Sequence, residues 1–255
     1  MISAATDRWP VDNDPSQIIP VGPIPFERDL PHFARGITRG RPKIIAIGSS
    51  TTAGEGSIKP YPDRLLSLLQ IPYPNAKITM INAGIGGQEA PIELDRFDTD
   101  VIAEKPDLVI WQVGTNAVWQ SPDLKPPPPT FDETVNAIHD GLIKLRNETR
   151  ADVILMDLQY VPAVLTPAKK GKAIAMVKAI SKLAADAEGV NVFRRFIFME
   201  ALHEVEGISF DRMVDPGDET RLHQSDWVTD RVTKALNGAI VAGVDKAWSS
   251  AANAS

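Results

Sequence analysis

The stretch KIIAIGSSTTAGEG, residues 43–56, is where the reading of the fold begins. An apolar, mostly β-branched run, Ile44 to Ile47, stops at Gly48 and gives way to Ser49, Ser50, Thr51, Thr52 and two further glycines. A short continuous apolar run closed by glycine predicts a strand buried on both faces. The polar residues after it form a turn that presents hydroxyls at the strand's carboxyl end.

The same alternation continues outward from this point. YPDRLLSLLQI (61–71) carries Leu65, Leu66, Leu68 and Leu69 at helical spacing, and AKITMIN (76–82) predicts a second strand. A helix is expected over 91–105, with Leu94, Phe97, Val101 and Ile102 on one face. Strands are predicted at 106–114, 151–159 and 190–194, and helices at 131–149, 172–188 and 225–248. The last helix places Val228, Val232, Leu236, Ile240 and Val244 on one side. Near-continuously apolar strands alternating with helices require parallel strands covered on both faces. The expected fold is therefore a three-layer α/β/α sandwich around a central five-stranded parallel sheet. Residues 1–40, rich in Pro, Asp and Gly without a sustained period, read as an N-terminal arm packed on the surface of a single domain over 41–250. SPDLKPPPPTFDE (121–133) reads as a stiff surface loop, because four consecutive prolines fit neither a helix nor a central strand.

Composition narrows the function classes. The 255 residues are 43 % apolar and 24 % charged, ordinary for a globular chain, with a net charge of −6. No basic cluster is dense enough for a nucleic-acid face; AKKGK (168–172) reads as a solvated helix start. The absence of cysteine excludes disulfides, zinc–thiolate sites and cysteine nucleophiles. No apolar run approaches the roughly 20 residues of a membrane span. The first residues lack a basic stretch followed by an apolar one, so no signal peptide is visible, and both a cytoplasmic and an exported location stay open. Oligomeric state is not legible. DPGDE (215–219) lacks the ligand spacing of a calcium loop, and neither a metal nor a cofactor is expected.

In parallel α/β sheets, sites form outside the carboxyl ends of the strands. That rule selects GSSTTAGEG, NAGIGGQEA (82–90), GTNAVWQ (114–120) and DLQYVP (157–162). A phosphate loop does not fit, since Gly48 is followed by Gly54 and Glu55 with no lysine in place; the dinucleotide turn and the G-x-S-x-G elbow fail as well. A hydrolytic site fits better. Ser50 supplies a nucleophilic oxygen, the glycines at 84, 86 and 87 let backbone N–H groups face a cleft, and Asn116 offers a neutral amide donor. Of His32, His139, His203 and His223, only His223 sits in a loop entering a helix, a position that reaches the sheet's carboxyl edge.

These residues, in this order, resemble the SGNH/GDSL hydrolase family, whose fold is flavodoxin-like. The family's G-D-S-x-T-x-G block is similar to Gly48-Ser49-Ser50-Thr51-Thr52-Ala53-Gly54, which puts the nucleophile on Ser50. Its second block resembles Asn82 to Gly87 and puts an oxyanion N–H on Gly87; its G-x-N block resembles Gly114-Thr115-Asn116 and puts a second donor on Asn116. The histidine of its last block falls on His223. The resemblance covers 43 to about 245 and departs at two positions. Ser49 stands where the family has aspartate, and Thr220 stands three residues before His223, where the family has its acid. Asp218 and Glu219 are equal candidates to replace that acid, and a Ser-His dyad with a backbone carbonyl on Nδ1 is the further alternative.

The resemblance implies a serine hydrolase of carboxylic esters, an esterase, lipase or carbohydrate O-acetyl esterase, acting through an acyl-enzyme on Ser50 with His223 as base. Its substrate would be a small-molecule or carbohydrate ester. The alternatives are an acyltransferase using the same acyl-enzyme and, because of Thr220, a non-catalytic carbohydrate- or acyl-binding module. Trp119 and Tyr160, with Val161 and Leu165, are expected to wall the substrate site, and Asp157 to cap the following loop or touch substrate.

Overall fold

The computed structural model describes residues 25–56 and 58–253. In chain order the elements are α1 (Pro31–Thr38), β1 (Lys43–Gly48), α2 (Ser50–Ala53), α3 (Tyr61–Leu69), β2 (Thr79–Gly84), α4 (Ala90–Asp95), a π-helical turn (Asp98–Ile102) and β3 (Leu108–Gln112). There follow α5 (Thr115–Trp119), α6 (Phe131–Glu148), β4 (Asp152–Met156), α7 (Pro162–Leu165), α8 (Lys170–Asp186), β5 (Val190–Phe193), α9 (Arg195–Glu204), α10 (Phe210–Met213) and α11 (Asp226–Asn253).

The five strands form one parallel sheet in the order β2-β1-β3-β4-β5. The register aligns Ile45 with Ile81 and with Val109, Val109 with Val153, and Val153 with Val190, so an apolar row crosses the sheet. Helices α1, α3 and α11 pack together on one face, and α4, α6 and α8 on the other. Every residue of β3 and β4 is buried, the polar Gln112 and Asp152 included. Each fully buried isoleucine of β1 (Ile44, Ile45, Ile47) contributes roughly 1.5–3 kcal/mol through removal from water. The chain leaves β1 toward β2 on one side and returns to β3 on the other. This reversal opens a crevice between the carboxyl ends of β1 and β3, where sites in such sheets form.

Local structure departs from the sequence expectations at several points. Within the expected arm, residues 1–24 lie outside the described residues, but 31–38 form a helix and Phe26, Leu30, Phe33 and Ala34 are buried in the core. Asp152 at the start of β4 accepts the Phe33 N–H (2.8 Å), and the Leu30 N–H donates to the Gly243 carbonyl of α11 (3.1 Å). Eight residues are too few to display a sustained helical period, which is why α1 is not evident in the sequence. The helix expected over 91–105 breaks after Asp95 and resumes as the π-helical turn. The second strand lies two to three residues later than expected; as an edge strand with only partial burial it lacks the continuous apolar signature of the others. Helix α6 begins as expected, with Thr130 and Glu133 forming a reciprocal capping box.

Candidate active site

The turn after β1 is folded tightly against β3. A Cβ on Gly48 would stand 2.6 Å from Thr52 Oγ1 and 2.9 Å from Gln112 Cβ, so no side chain fits there. The N–H and hydroxyl of Ser49 both donate to Gln112 Oε1, at 3.1 and 3.0 Å. Ser49, at the position of the family's aspartate, thus ties the turn to the last residue of β3. Ser50 then opens α2, where the first N–H groups have no intrahelical acceptor. It is only 5 % exposed, and its hydroxyl lies 3.0 Å from His223 Nε2.

His223 is held by the segment before α11. An isolated antiparallel bridge joins Val214 to Gln224, the Asp215 N–H donates to the His223 carbonyl (2.9 Å), and the Ser225 N–H to the Met213 carbonyl (2.7 Å). Within this closed loop Asp218 turns inward. Its Oδ2 accepts the N–H groups of Leu222 (2.9 Å) and His223 (2.6 Å) and lies 2.9 Å from His223 Nδ1. Its Oδ1 accepts the N–H and hydroxyl of Thr220, at 2.9 and 2.6 Å. Arg221 adopts a left-handed conformation (φ 56°) that lets the chain double back around the carboxylate. Burial by itself raises the Asp218 pKa, but the His223 N–H, the two Thr220 donors and the His223 charge outweigh it and hold the carboxyl at about 2. An ionised Asp218 accepts but does not donate, so Nδ1 carries the proton and Nε2 turns its lone pair toward Ser50.

Of the two acids left open by the sequence, Asp218 meets the imidazole. Glu219 is exposed and makes no contact with it. The acid thus precedes the histidine by five positions instead of three, and Thr220 supports it.

The third side of the site is the turn after β2. Asn82 Nδ2 donates to the Thr52 carbonyl (2.8 Å), and a Cβ on Gly84 would stand 2.2 Å from Ala53 N, so only glycine allows this approach to α2. Gly87 has φ 76°, and among the described residues its N–H has no partner. Asn116 Nδ2 donates to the Gln88 carbonyl (2.8 Å) and Gln120 Nε2 to the Gly87 carbonyl (3.1 Å), which joins this turn to α5. One hydrogen of the Asn116 amide is therefore engaged and the other is left. The Ser50 N–H, the Gly87 N–H and that remaining amide hydrogen are the donors the geometry offers to an oxyanion.

The other histidines are occupied elsewhere. His32, in α1, and His139 line a groove at the amino edge of the sheet, and burial is the main influence lowering the His32 pKa. His203 Nδ1 pairs with the Ile208 carbonyl (2.7 Å), and its ring stacks on Phe210.

The expected walls fare unequally. Trp119 is half-buried at the end of α5, and its carbonyl accepts Lys169 Nζ (2.6 Å). Tyr160 does not fit a wall: it is 4 % exposed, its ring packs against Phe196 and Phe210, and its hydroxyl donates to Glu204 (2.9 Å). The residue after a strand faces either cleft or core, and its identity as tyrosine does not say which. Asp157 takes the structural role among its two expected ones. Its Oδ1 accepts the Phe196 N–H at the start of α9 (2.9 Å), its carbonyl accepts two Arg195 donors (3.0 and 2.7 Å), and it is fully buried.

Gln112 and Glu55 escaped the sequence reading as site residues. Gln112 carried a signal, as the one polar residue ending the apolar run LVIWQ. Glu55 carried none, being a polar residue in a polar loop, and Thr220, marked in the sequence as the residue at the acid's usual position, turns out to support Asp218.

A family model described as the non-GDSL lipase-like family matches residues 19–246. The chain belongs to the non-GDSL lipase-like family. Among relatives of this family member, an acetylxylan esterase of Geobacillus stearothermophilus is 38 % identical over 93 residues, 32 % of this chain and 42 % of that protein. The alignment thus spans about two-fifths of that relative's length. A crystal structure of a catalytic mutant of Axe2, an acetylxylan esterase from the same organism, superposes with a TM-score of 0.65 at 22 % identity, covering 80 % of this chain and 94 % of that one. A two-domain esterase active on acetylated mannans superposes with a TM-score of 0.61 at 21 % identity, covering 84 % and 51 %. At these identities the superpositions establish the shared α/β fold. Among the described residues no helix is long and apolar enough to cross a membrane.

Proposed function

We propose that this protein hydrolyses carboxylic esters through an acyl-enzyme on Ser50, with acylated carbohydrates as the substrate class. The observation that carries the reading is the continuous hydrogen-bonded chain from Asp218 to His223 Nδ1 (2.9 Å) and from Nε2 to the Ser50 hydroxyl (3.0 Å). His223 Nε2 takes the Ser50 proton as Oγ attacks the acyl carbon, and Asp218 steadies the imidazolium that forms. The Ser50 and Gly87 N–H groups and the Asn116 amide stabilise the oxyanion. Nε2 then returns its proton to the departing alcohol oxygen, and a water activated by the same nitrogen releases the acid. The carbohydrate part of the reading is supported by the segment shared with an acetylxylan esterase at 38 % identity. The motive for a non-catalytic module was Thr220, whose hydroxyl and N–H both serve Asp218.

The test is cleavage of p-nitrophenyl acetate and acetate release from acetylated xylo-oligosaccharides, compared with Ser50→Ala and His223→Ala. Each variant is expected to lose a factor on the order of 10⁴ or more in kcat, and a fluorophosphonate is expected to label Ser50. A wild-type protein no faster than both variants, with Ser50 unlabelled, would sink the reading.

A further inference from the structure

Glu55 stands in the site without a structural reason to be there. Its Oε2 lies 3.5 Å from His223 Nε2, the nitrogen facing Ser50, and its side chain is 46 % exposed. Its Oε1 lies where a Cβ on Gly86 would approach to 2.5 Å, so the carboxylate rests against the backbone of the turn over Ser50. Among the described residues its side chain makes no other ion pair and no hydrogen bond within the protein. It lines a shallow, open depression with Ser50, Thr51, Ile58, His223 and Gln224. A surface glutamate with no partner ordinarily extends into water, and this one instead bends over the reacting nitrogen.

We propose that Glu55 recognises the alcohol half of the substrate, accepting a hydrogen bond from a hydroxyl on the carbon next to the ester-bearing carbon. The inference rests on the ester-hydrolase reading above and names its substrate more closely: partial esters of sugars and other polyols. The geometry follows from the proton's path. The departing alcohol oxygen must come within hydrogen-bond reach of Nε2 to receive its proton. A carboxylate oxygen 3.5 Å from Nε2 therefore lies within reach of the alcohol half, while the other oxygen rests against Gly86 beside the Gly87 turn. A carboxylate is acceptor-only and binds hydroxyl donors through strong charge-assisted hydrogen bonds. A vicinal hydroxyl meets that requirement. A plain alkyl alcohol offers the half-exposed carboxylate no donor and an anionic alcohol is repelled, so the hydroxy ester is favoured.

The experiment uses two esters that differ by one hydroxyl, trans-2-hydroxycyclohexyl acetate and cyclohexyl acetate, with p-nitrophenyl acetate as the activity reference. Wild type, Glu55→Gln and Glu55→Ala are compared on all three, and thermal denaturation checks that the variants fold. Removing the carboxylate is expected to lower kcat/KM on the hydroxy ester about tenfold more than on cyclohexyl acetate, with Glu55→Gln between wild type and Glu55→Ala. Equal losses on the two esters, the result if Glu55 acts only on the imidazolium charge, overturn the inference. So does cleavage of p-nitrophenyl acetate with neither cyclohexyl ester turned over. Failure on all three, with Ser50 unlabelled by a fluorophosphonate, overturns the ester-hydrolase reading itself.

Discussion

Asp218 and Asp157 both lie near the carboxyl edge of the sheet, yet their surroundings drive them in opposite directions. Asp157 is fully buried at the end of β4; burial pushes its pKa up to about 7, against the pull of the Phe196 N–H and the Arg195 charge. Among the described residues, one of its oxygens, Oδ2, and the Nη1 of buried Arg195 have no hydrogen-bond partner. Asp218 is burdened by desolvation too, but Thr220, Leu222 and His223 donate to its two oxygens, and the His223 and Thr220 donors together with the His223 charge hold it at about 2. Burial alone does not decide whether a carboxylate keeps its charge; the number of donors supplied to the ionised form does. The loop before α11 supplies them, and the closely packed end of β4 does not. Glu93 extends the second case. It accepts the Trp111 indole N–H (2.7 Å), and burial raises its pKa to about 8.

The comparison yields tests of decreasing size. Asp218→Ala is expected to lower kcat/KM on p-nitrophenyl acetate by a factor on the order of 10²–10⁴, because the imidazole loses its orienting anion. Glu219→Ala, on the exposed side of the same turn, should stay within about twofold. Equal effects from the two would break the distinction. At the other pole, Asp157→Ala leaves the Phe196 N–H without its acceptor and is expected to cost about 1–3 kcal/mol in chemical denaturation. A loss of activity larger than its loss of stability explains would return Asp157 to the site. Thr220→Val removes one donor to Asp218 and should reduce kcat/KM by about three- to tenfold, roughly 1 kcal/mol. It should also raise the pH at which the protein acid-denatures, since a carboxylate with one donor fewer is protonated more easily. An unshifted acid-denaturation midpoint would mean that the Thr220 hydroxyl does not hold the charge.

The smallest effect separates the two kinds of carboxylate by their pH signature. Glu93 is raised in the folded state, so its contribution is fully present below about 4.5 and is lost as pH rises through about 8. Asp218 has the opposite sign: its contribution is present above 3.8 and is lost as pH falls through about 2. Glu93→Gln keeps an acceptor for the Trp111 indole but cannot ionise. Relative to wild type, its Tm should therefore rise by several degrees between pH 5 and pH 8.5. A difference that does not change with pH would mean that Glu93 titrates as an ordinary carboxylate.

Much of this arrangement was legible before folding. Four of the five strands announce themselves as short apolar runs closed by turn residues, since a strand covered on both faces has no polar side to interrupt the pattern; the partly buried edge strand β2 is less sharply marked. The rule that parallel strands deliver their site at the carboxyl edge selected the segments of Ser50, Gly87 and Asn116, His223 followed as the histidine in a loop entering a helix, and the family resemblance singled out Gly87 among its neighbouring glycines. What was missed is mostly short or local, the ten-residue α9 being the exception. Helix α1 is too brief to show a period, α2 and α7 are single turns hidden in polar or proline-flanked segments, and Tyr160 reads the same whether it faces cleft or core.

The amino-acid sequence by itself determined the parallel sheet, the crevice beside β1 and the pairing of a serine loop with a histidine loop, because apolar periodicity and the order of turn residues survive in one dimension. The choice between Asp218 and Glu219 belongs to the tertiary structure alone. They are neighbours of the same charge in the same loop, and only the left-handed turn at Arg221, closed by the Val214–Gln224 bridge, directs one into a ring of donors and the other into water. Glu55 teaches the same lesson across 168 positions of chain: its distance to His223 Nε2 is set by the approach of two loops that no local pattern encodes.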